Sequence, residues 1–69
     1  MNEELHFFVY LLEKYAEFKG RKTRDVFREW KEKDLIQEIQ DGYWVYHSEV
    51  LDNAFMDIDS LLETGEHAF

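Results

Sequence analysis

The sequence predicts an all-α protein: a small single-domain bundle of three main helices plus one short helix, with an aromatic extended connector before the last helix. Three observations predict it. Proline is absent, and the three glycines (Gly20, Gly42, Gly65) fall between or after periodic segments, where glycine punctuates helices. Apolar residues recur at helical spacing in both the first and the last third of the chain. The 69 residues include no cysteine, so disulfides and thiolate zinc sites are excluded as supports for a core this small. Such a core rarely supplies more than ~3–5 kcal/mol, which leaves tight packing, self-association or a protein partner as the remaining aids. Residues 1–69 are read as one domain, with 66–69 as a loose tail.

Asn2 caps the first helix, and Glu3 and Glu4 occupy the opening turn, where the helix dipole favours anions. At 100° per residue, Leu5, Phe7, Phe8, Val9, Leu11, Leu12, Tyr15, Ala16 and Phe18 fall on one arc roughly 200° wide, against the ~100° stripe of an ordinary surface helix. A helix this apolar must meet neighbours on two sides. Lys19 and Gly20 end it. Thr23 is expected to cap the second helix, with Asp25 in the first turn and Val26, Phe27 and Trp30 on the inner face. Asp34 is expected to cap a short third helix from Leu35 to Gln40, which Gly42 stops. Tyr43-Trp44-Val45-Tyr46 has the aromatic and β-branched content of a strand but no second strand to pair with, so it reads as an extended connector. Ser48 is expected to cap the last helix. There Val50, Leu51, Ala54, Phe55, Ile58, Leu61 and Leu62 form the cleanest amphipathic pattern in the chain, and Gly65 ends it.

Charge divides the molecule. All eight lysines and arginines precede residue 34, whereas nine acids and no strong base lie from Asp34 onward, so the back half carries −9 and residues 1–33 carry +1. Like charges crowded into one small half repel one another and weaken the compact state. Glu49, Asp52, Met56, Asp59 and Glu63 step by 3, 4, 3 and 4 residues and so line one edge of the last helix. This stripe is either a solvated face or a docking face for a basic protein, with Met56 as an adaptable apolar contact. The twelve aromatic residues exceed what a small core needs, and Tyr10, Trp30 and Trp44 are candidate interface anchors.

Other chemistries fare worse. The bases at 19–33 suit electrostatic balance against the acidic half better than phosphate contact, because the short third helix offers no arginine or lysine with which to read bases. His6, His47 and His67 are scattered, the calcium-loop pattern is missing, and no metal or cofactor is expected. Asp57 alone among the acids of its helix sits at the edge of the apolar face. It is expected to be partly buried and to pair with His47, Tyr43 or Tyr46 as a structural bond rather than as a general base. No catalytic residue is assigned and no enzyme activity is expected. The longest apolar run, Phe7 to Leu12, is far below the roughly 20 residues of a membrane span. The start Met-Asn-Glu-Glu lacks the basic region of a secretory signal, so the expected location is cytoplasmic.

Phe7-Phe8-Val9-Tyr10-Leu11-Leu12-Glu13-Lys14-Tyr15-Ala16, the Tyr43-x-x-Tyr46-His47 motif and Asn53-Ala54-Phe55-Met56-Asp57-Ile58-Asp59-Ser60-Leu61 together resemble a family of small bacterial proteins catalogued as domain of unknown function 3791. The resemblance implies a frequent genetic neighbour similar to an ADP-ribosyltransferase, in the manner of a toxin–antitoxin pair, and hence a neutralising or chaperoning role. It attaches no function to individual residues. The expectation is therefore a non-enzymatic protein-interaction module, the small acidic antitoxin-like partner of a basic enzyme or toxin. Its alternatives are a structural protein that forms a homodimer through the first helix and, more distantly, a helical DNA-binding regulator. Neither nucleic acid nor membrane is an expected partner.

Overall fold

The computed structural model describes residues 2–68, and within them five helices pack around one core: α1 Glu3–Lys19, α2 Thr23–Glu32, α3 Ile36–Asp41, α4 Tyr43–Tyr46 and α5 Leu51–Thr64. The fold is all-α, as the periodicity and punctuation predict.

The first helix begins and ends where its caps dictate. The Asn2 side chain accepts the Leu5 N–H at 2.7 Å, and the chain leaves the helix through Gly20, whose N–H donates to the Glu17 carbonyl. The wide apolar arc is covered mainly along its centre. Phe8, Leu11, Leu12, Tyr15 and Ala16 are buried, whereas Leu5, Val9 and Phe18 at its ends and edge stay exposed.

The expected cap at Thr23 is not used. Thr23 is already helical, and Lys22 precedes it with no side-chain cap bond. The turn at Gly20 leaves only Arg21 and Lys22 as connector, and full burial of Val26 and Trp30 sets the helix register. Burying two such side chains outweighs a cap bond of ~1 kcal/mol.

Asp34 is likewise not a cap for α3. It adopts φ +60°, and it closes α2: its N–H meets the Lys31 carbonyl at 3.1 Å while the Leu35 N–H meets the Trp30 carbonyl at 2.8 Å. This 6→1 and 5→2 pair is the Schellman turn that glycine usually makes. Aspartate is among the few other residues that visit this region. The turn drops Leu35 into the core, so α3 starts one residue later than expected, at Ile36.

The extended connector is the main correction. Residues 43–46 form one helical turn, in which the Val45 and Tyr46 amides donate to the Gly42 carbonyl and the His47 amide to that of Tyr43. An isolated extended segment beside the core would leave these groups unpaired, whereas a helical turn pairs them locally. The turn buries Tyr46 and turns Trp44 and Val45 outward. Ser48, expected to cap the last helix, instead donates its hydroxyl to the Trp44 and Val45 carbonyls and closes α4. Val50 precedes α5, and that helix ends at Gly65 (φ +78°), a conformation only glycine adopts readily.

The loose-tail expectation for 66–69 is corrected for the described part. Gly65 reverses the chain, the Ser60 hydroxyl donates to the Glu66 carbonyl at 2.7 Å, and His67 and Ala68 are tied to Asp57. Phe69 lies outside the described residues.

Candidate functional site

Asp57 is the one buried charged residue among those described. Its position follows from α5: the residue lies at the margin of the stripe that buries Ala54, Phe55, Ile58 and Leu61. A buried carboxylate must find donors, and three groups from two segments supply them. The Tyr46 hydroxyl of α4 and the His67 Nδ1–H of the tail both donate to Oδ2, the latter at 2.6 Å. The Ala68 amide donates to Oδ1 at 2.6 Å. Burial alone would raise the Asp57 pKa, but the hydrogen bonds from Tyr46, His67 and the Ala68 amide together hold it below the usual carboxylate value. Tyr46 is pushed the other way, first by burial and then by its bond to Asp57, so it remains a donor.

His67 extends the network to α3, with Nε2 lying 2.6 Å from Glu38. Both ring nitrogens face carboxylate oxygens, and ionised carboxylates only accept, so the arrangement favours the doubly protonated imidazolium. The hydrogen bond to Asp57 and then that to Glu38 raise its pKa accordingly. With both nitrogens donating, the ring has no lone pair free for general-base work.

These side chains form one end of a groove of about 310 Å³ between α3, α4, α5 and the tail, lined by Glu38, Asp41, Gly42, Val45, Tyr46, Glu49, Asn53, Asp57 and His67. Asp41 accepts from the Gln37 amide at 2.8 Å and Glu49 from the Asn53 amide at 3.1 Å. Four carboxylates thus share one partly apolar groove, and His67 is its one cation among the described residues. No three histidine or acidic residues among those described are arranged to hold a metal ion.

The predicted Asp57 partnership is half right. Tyr46 is a partner, but His47 is not. His47 stacks flat on Tyr43, with ring centroids 4.2 Å apart, and its Nδ1–H donates to the Tyr43 carbonyl. His67 takes the place assigned to His47. The signal for it was present: an aspartate in an apolar register needs donors, and Gly65 marks where the chain turns back.

The acidic stripe survives in part. Asp52 and Glu63 are exposed on α5, Met56 between them is 56 % exposed, and Glu49 is exposed just ahead of the helix. Asp59 belongs to the fold instead, because it accepts the Tyr15 hydroxyl at 2.5 Å and pairs with Lys19 at 2.9 Å. The Tyr15 ring is buried, and its hydroxyl needs that acceptor. Trp30 is also removed from the anchor set. It is fully buried, with its ring 5.9 Å from Phe8 and 5.5 Å from Tyr15. Tyr10 (47 % exposed) and Trp44 (72 % exposed) remain available. Trp44 stands at the edge of a cluster with Tyr43 and His47, and Phe7 packs behind Tyr43.

Three of the bases are engaged within the fold. Lys19 pairs with Asp59, Arg21 with Glu29 at 2.6 Å, and the Lys33 ammonium donates to the Leu62 carbonyl at 3.3 Å. No helix of the described residues is long and apolar enough to cross a membrane.

Among known proteins, the family model described as "Protein of unknown function (DUF3791)" matches residues 6–65. No curated protein and no solved structure matches the chain.

Proposed function

The chain belongs to the DUF3791 family, a membership that assigns no activity, and from that premise we propose that it is a non-enzymatic interaction module that binds a basic protein. The observation that carries the reading is how the fold distributes its acids. Asp57 and Asp59 are consumed by internal hydrogen bonds, whereas Asp52 and Glu63, with Met56 between them, face solvent and have no lysine or arginine partner among the described residues. A net charge of −8 on 69 residues adds long-range attraction for a cation-rich surface. The exposed Trp44 and Tyr10 have the chemistry of interface anchors.

The mechanism is occlusion. Charge steers encounter, and apolar anchors slow release. The resemblance to families encoded beside ADP-ribosyltransferase-like proteins supports an antitoxin-like role in the cytoplasm, with that neighbour as the basic partner. The test is affinity between the purified chain and the protein of the adjacent reading frame, measured across a salt series. Affinity should fall steeply as the Debye length shrinks from ~30 Å at about 0.01 M salt to ~8 Å at about 0.15 M. The triple variant Glu49→Gln, Asp52→Asn, Glu63→Gln should bind at least tenfold more weakly. Salt-independent affinity, or an unaffected triple variant, rejects the reading.

A second reading rests on Leu5, Val9 and Phe18, which leave apolar surface on α1. It is self-association through that helix, and sedimentation of the purified chain distinguishes it: a tight dimer supports it and a monomer does not.

A further inference from the structure

We infer that the groove between α3, α4 and α5 is a receptor for a single cationic side chain, an arginine or lysine of the partner protein. The inference rests on the proposal that the partner is basic, and it names where and how one of that partner's residues is held.

Two observations on this groove carry it. The first is charge and shape together. The groove gathers Glu38, Asp41, Glu49 and Asp57 around a concave wall that includes Val45. Its volume of about 310 Å³ lies at the lower end of ordinary ligand pockets, ~300–1,000 Å³. Long basic side chains match such a lining, because an aliphatic stem lies along apolar surface while the charged head meets carboxylates.

The second observation is that the groove already holds a cation. His67, carried in by the tail, places one ring nitrogen on Asp57 and the other on Glu38, each at 2.6 Å. This internal imidazolium satisfies only one end. Asp41 and Glu49 line the same space with neutral amides as their donors and no cationic partner among the described residues. Even with His67 charged, four carboxylates against one imidazolium leave the groove strongly negative. An incoming guanidinium or ammonium between Asp41 and Glu49 relieves that excess. Both ions there gain charge-assisted bonds in place of weaker amide ones.

This also separates two tasks. Asp52 and Glu63, on the outer face of α5, set long-range attraction and hence the rate of encounter, whereas the groove holds the bound cation and sets the rate of release.

The experiment uses the full chain and a hexa-arginine peptide as the probe, followed by amide chemical shifts in low salt. Asp41→Asn/Glu49→Gln and Asp52→Asn/Glu63→Gln each remove two negative charges, so they weaken non-local attraction equally. All four residues are exposed, so both variants should keep the fold. Peptide should shift the Gly42, Val45 and Asn53 amides of the parent. The groove pair should bind at least tenfold more weakly and the outer-face pair less than threefold. Equal weakening by both pairs, or shifts confined to the outer face of α5, overturns the groove while leaving the basic-partner reading intact. Failure of the peptide to bind at all in low salt overturns both.

Discussion

Asp57 shows how much one side chain decides. It gathers donors from α4 and from the tail, so it fastens two segments to α5 at once. Replacing it with alanine leaves the buried Tyr46 hydroxyl without its acceptor and frees the tail. Losing a buried hydrogen-bonded charge of this kind costs on the order of 2–3 kcal/mol. That is a large share of the ~3–5 kcal/mol such a core supplies. Urea denaturation of Asp57→Ala should show a midpoint shift of that size, and an unchanged midpoint would mean the network is not formed. The Asp57–His67 contact also predicts a pH window. His67 is raised above its ordinary value of 6.5, so the stability it adds is complete below pH 6.5 and is lost as pH rises through the raised value. Asp57 is lowered below its ordinary value of 3.8, so its contribution is complete above pH 3.8 and is lost as pH falls through the lowered value. The tail is therefore held most tightly between pH 3.8 and 6.5. Thermal melts of the parent and His67→Gln should differ most inside that window and converge on its alkaline side.

Helix ends are where single elements carry testable strain. Asp34 occupies a left-handed conformation (φ +60°) to close α2, a position that glycine fills at less steric cost. Asp34→Gly should raise stability by roughly 0.5 kcal/mol, the relief of backbone strain slightly exceeding the added flexibility of the unfolded chain. Gly42 makes the opposite case. Its φ is −80°, so the backbone would accept any residue, but a Cβ there would lie 2.6 Å from the Tyr46 ring. Gly42→Ala must displace that ring and so disturb the hydroxyl's bond to Asp57. Overpacking of this kind costs about 1–3 kcal/mol. A thermal melt should register the loss, and tryptophan fluorescence should report it too, because Trp44 sits in the same helical turn. Element positions were largely legible in the sequence, since Asn2, Gly20 and Gly65 act through their own backbone and side chain. The caps at Thr23, Asp34 and Ser48 were misread because each segment had a rival demand: burial of Trp30, closure of α2 and closure of α4. The aromatic and β-branched residues 43–46 carried strand propensity, and the lack of a pairing strand decided against it.

For the whole molecule, net charge links stability and binding with opposite signs. At −8, the isolated chain is strained by self-repulsion that salt screens. Raising salt from about 0.01 M to about 0.15 M, which shortens the Debye length from ~30 to ~8 Å, should raise its melting temperature while weakening its hold on a basic partner. The two trends measured on one preparation would tie acid crowding to function, and a melting temperature that falls with salt would break the link. The acidic stripe was half legible at this scale. Its register was correct for Asp52, Met56 and Glu63, but Asp59 was claimed by the Tyr15 hydroxyl and Lys19 from α1. Trp30 was read both as an inner-face residue of the second helix and as an interface anchor, and packing against Phe8 and Tyr15 decides for the inner face.

The sequence by itself determined that this protein is helical, where its first helix begins, where its first and last helices end, and that its negative charge is concentrated after residue 33. Those properties depend on local backbone preference, periodicity and composition, all of which act over a few residues. Only the tertiary structure decided which acids are internal and which face outward, that His67 rather than His47 meets Asp57, and that Glu38, Asp41 and Glu49 share one groove. Those outcomes depend on groups 10 to 44 residues apart along the chain brought within hydrogen-bonding distance. No local rule encodes such meetings, because they exist only once the helices have packed.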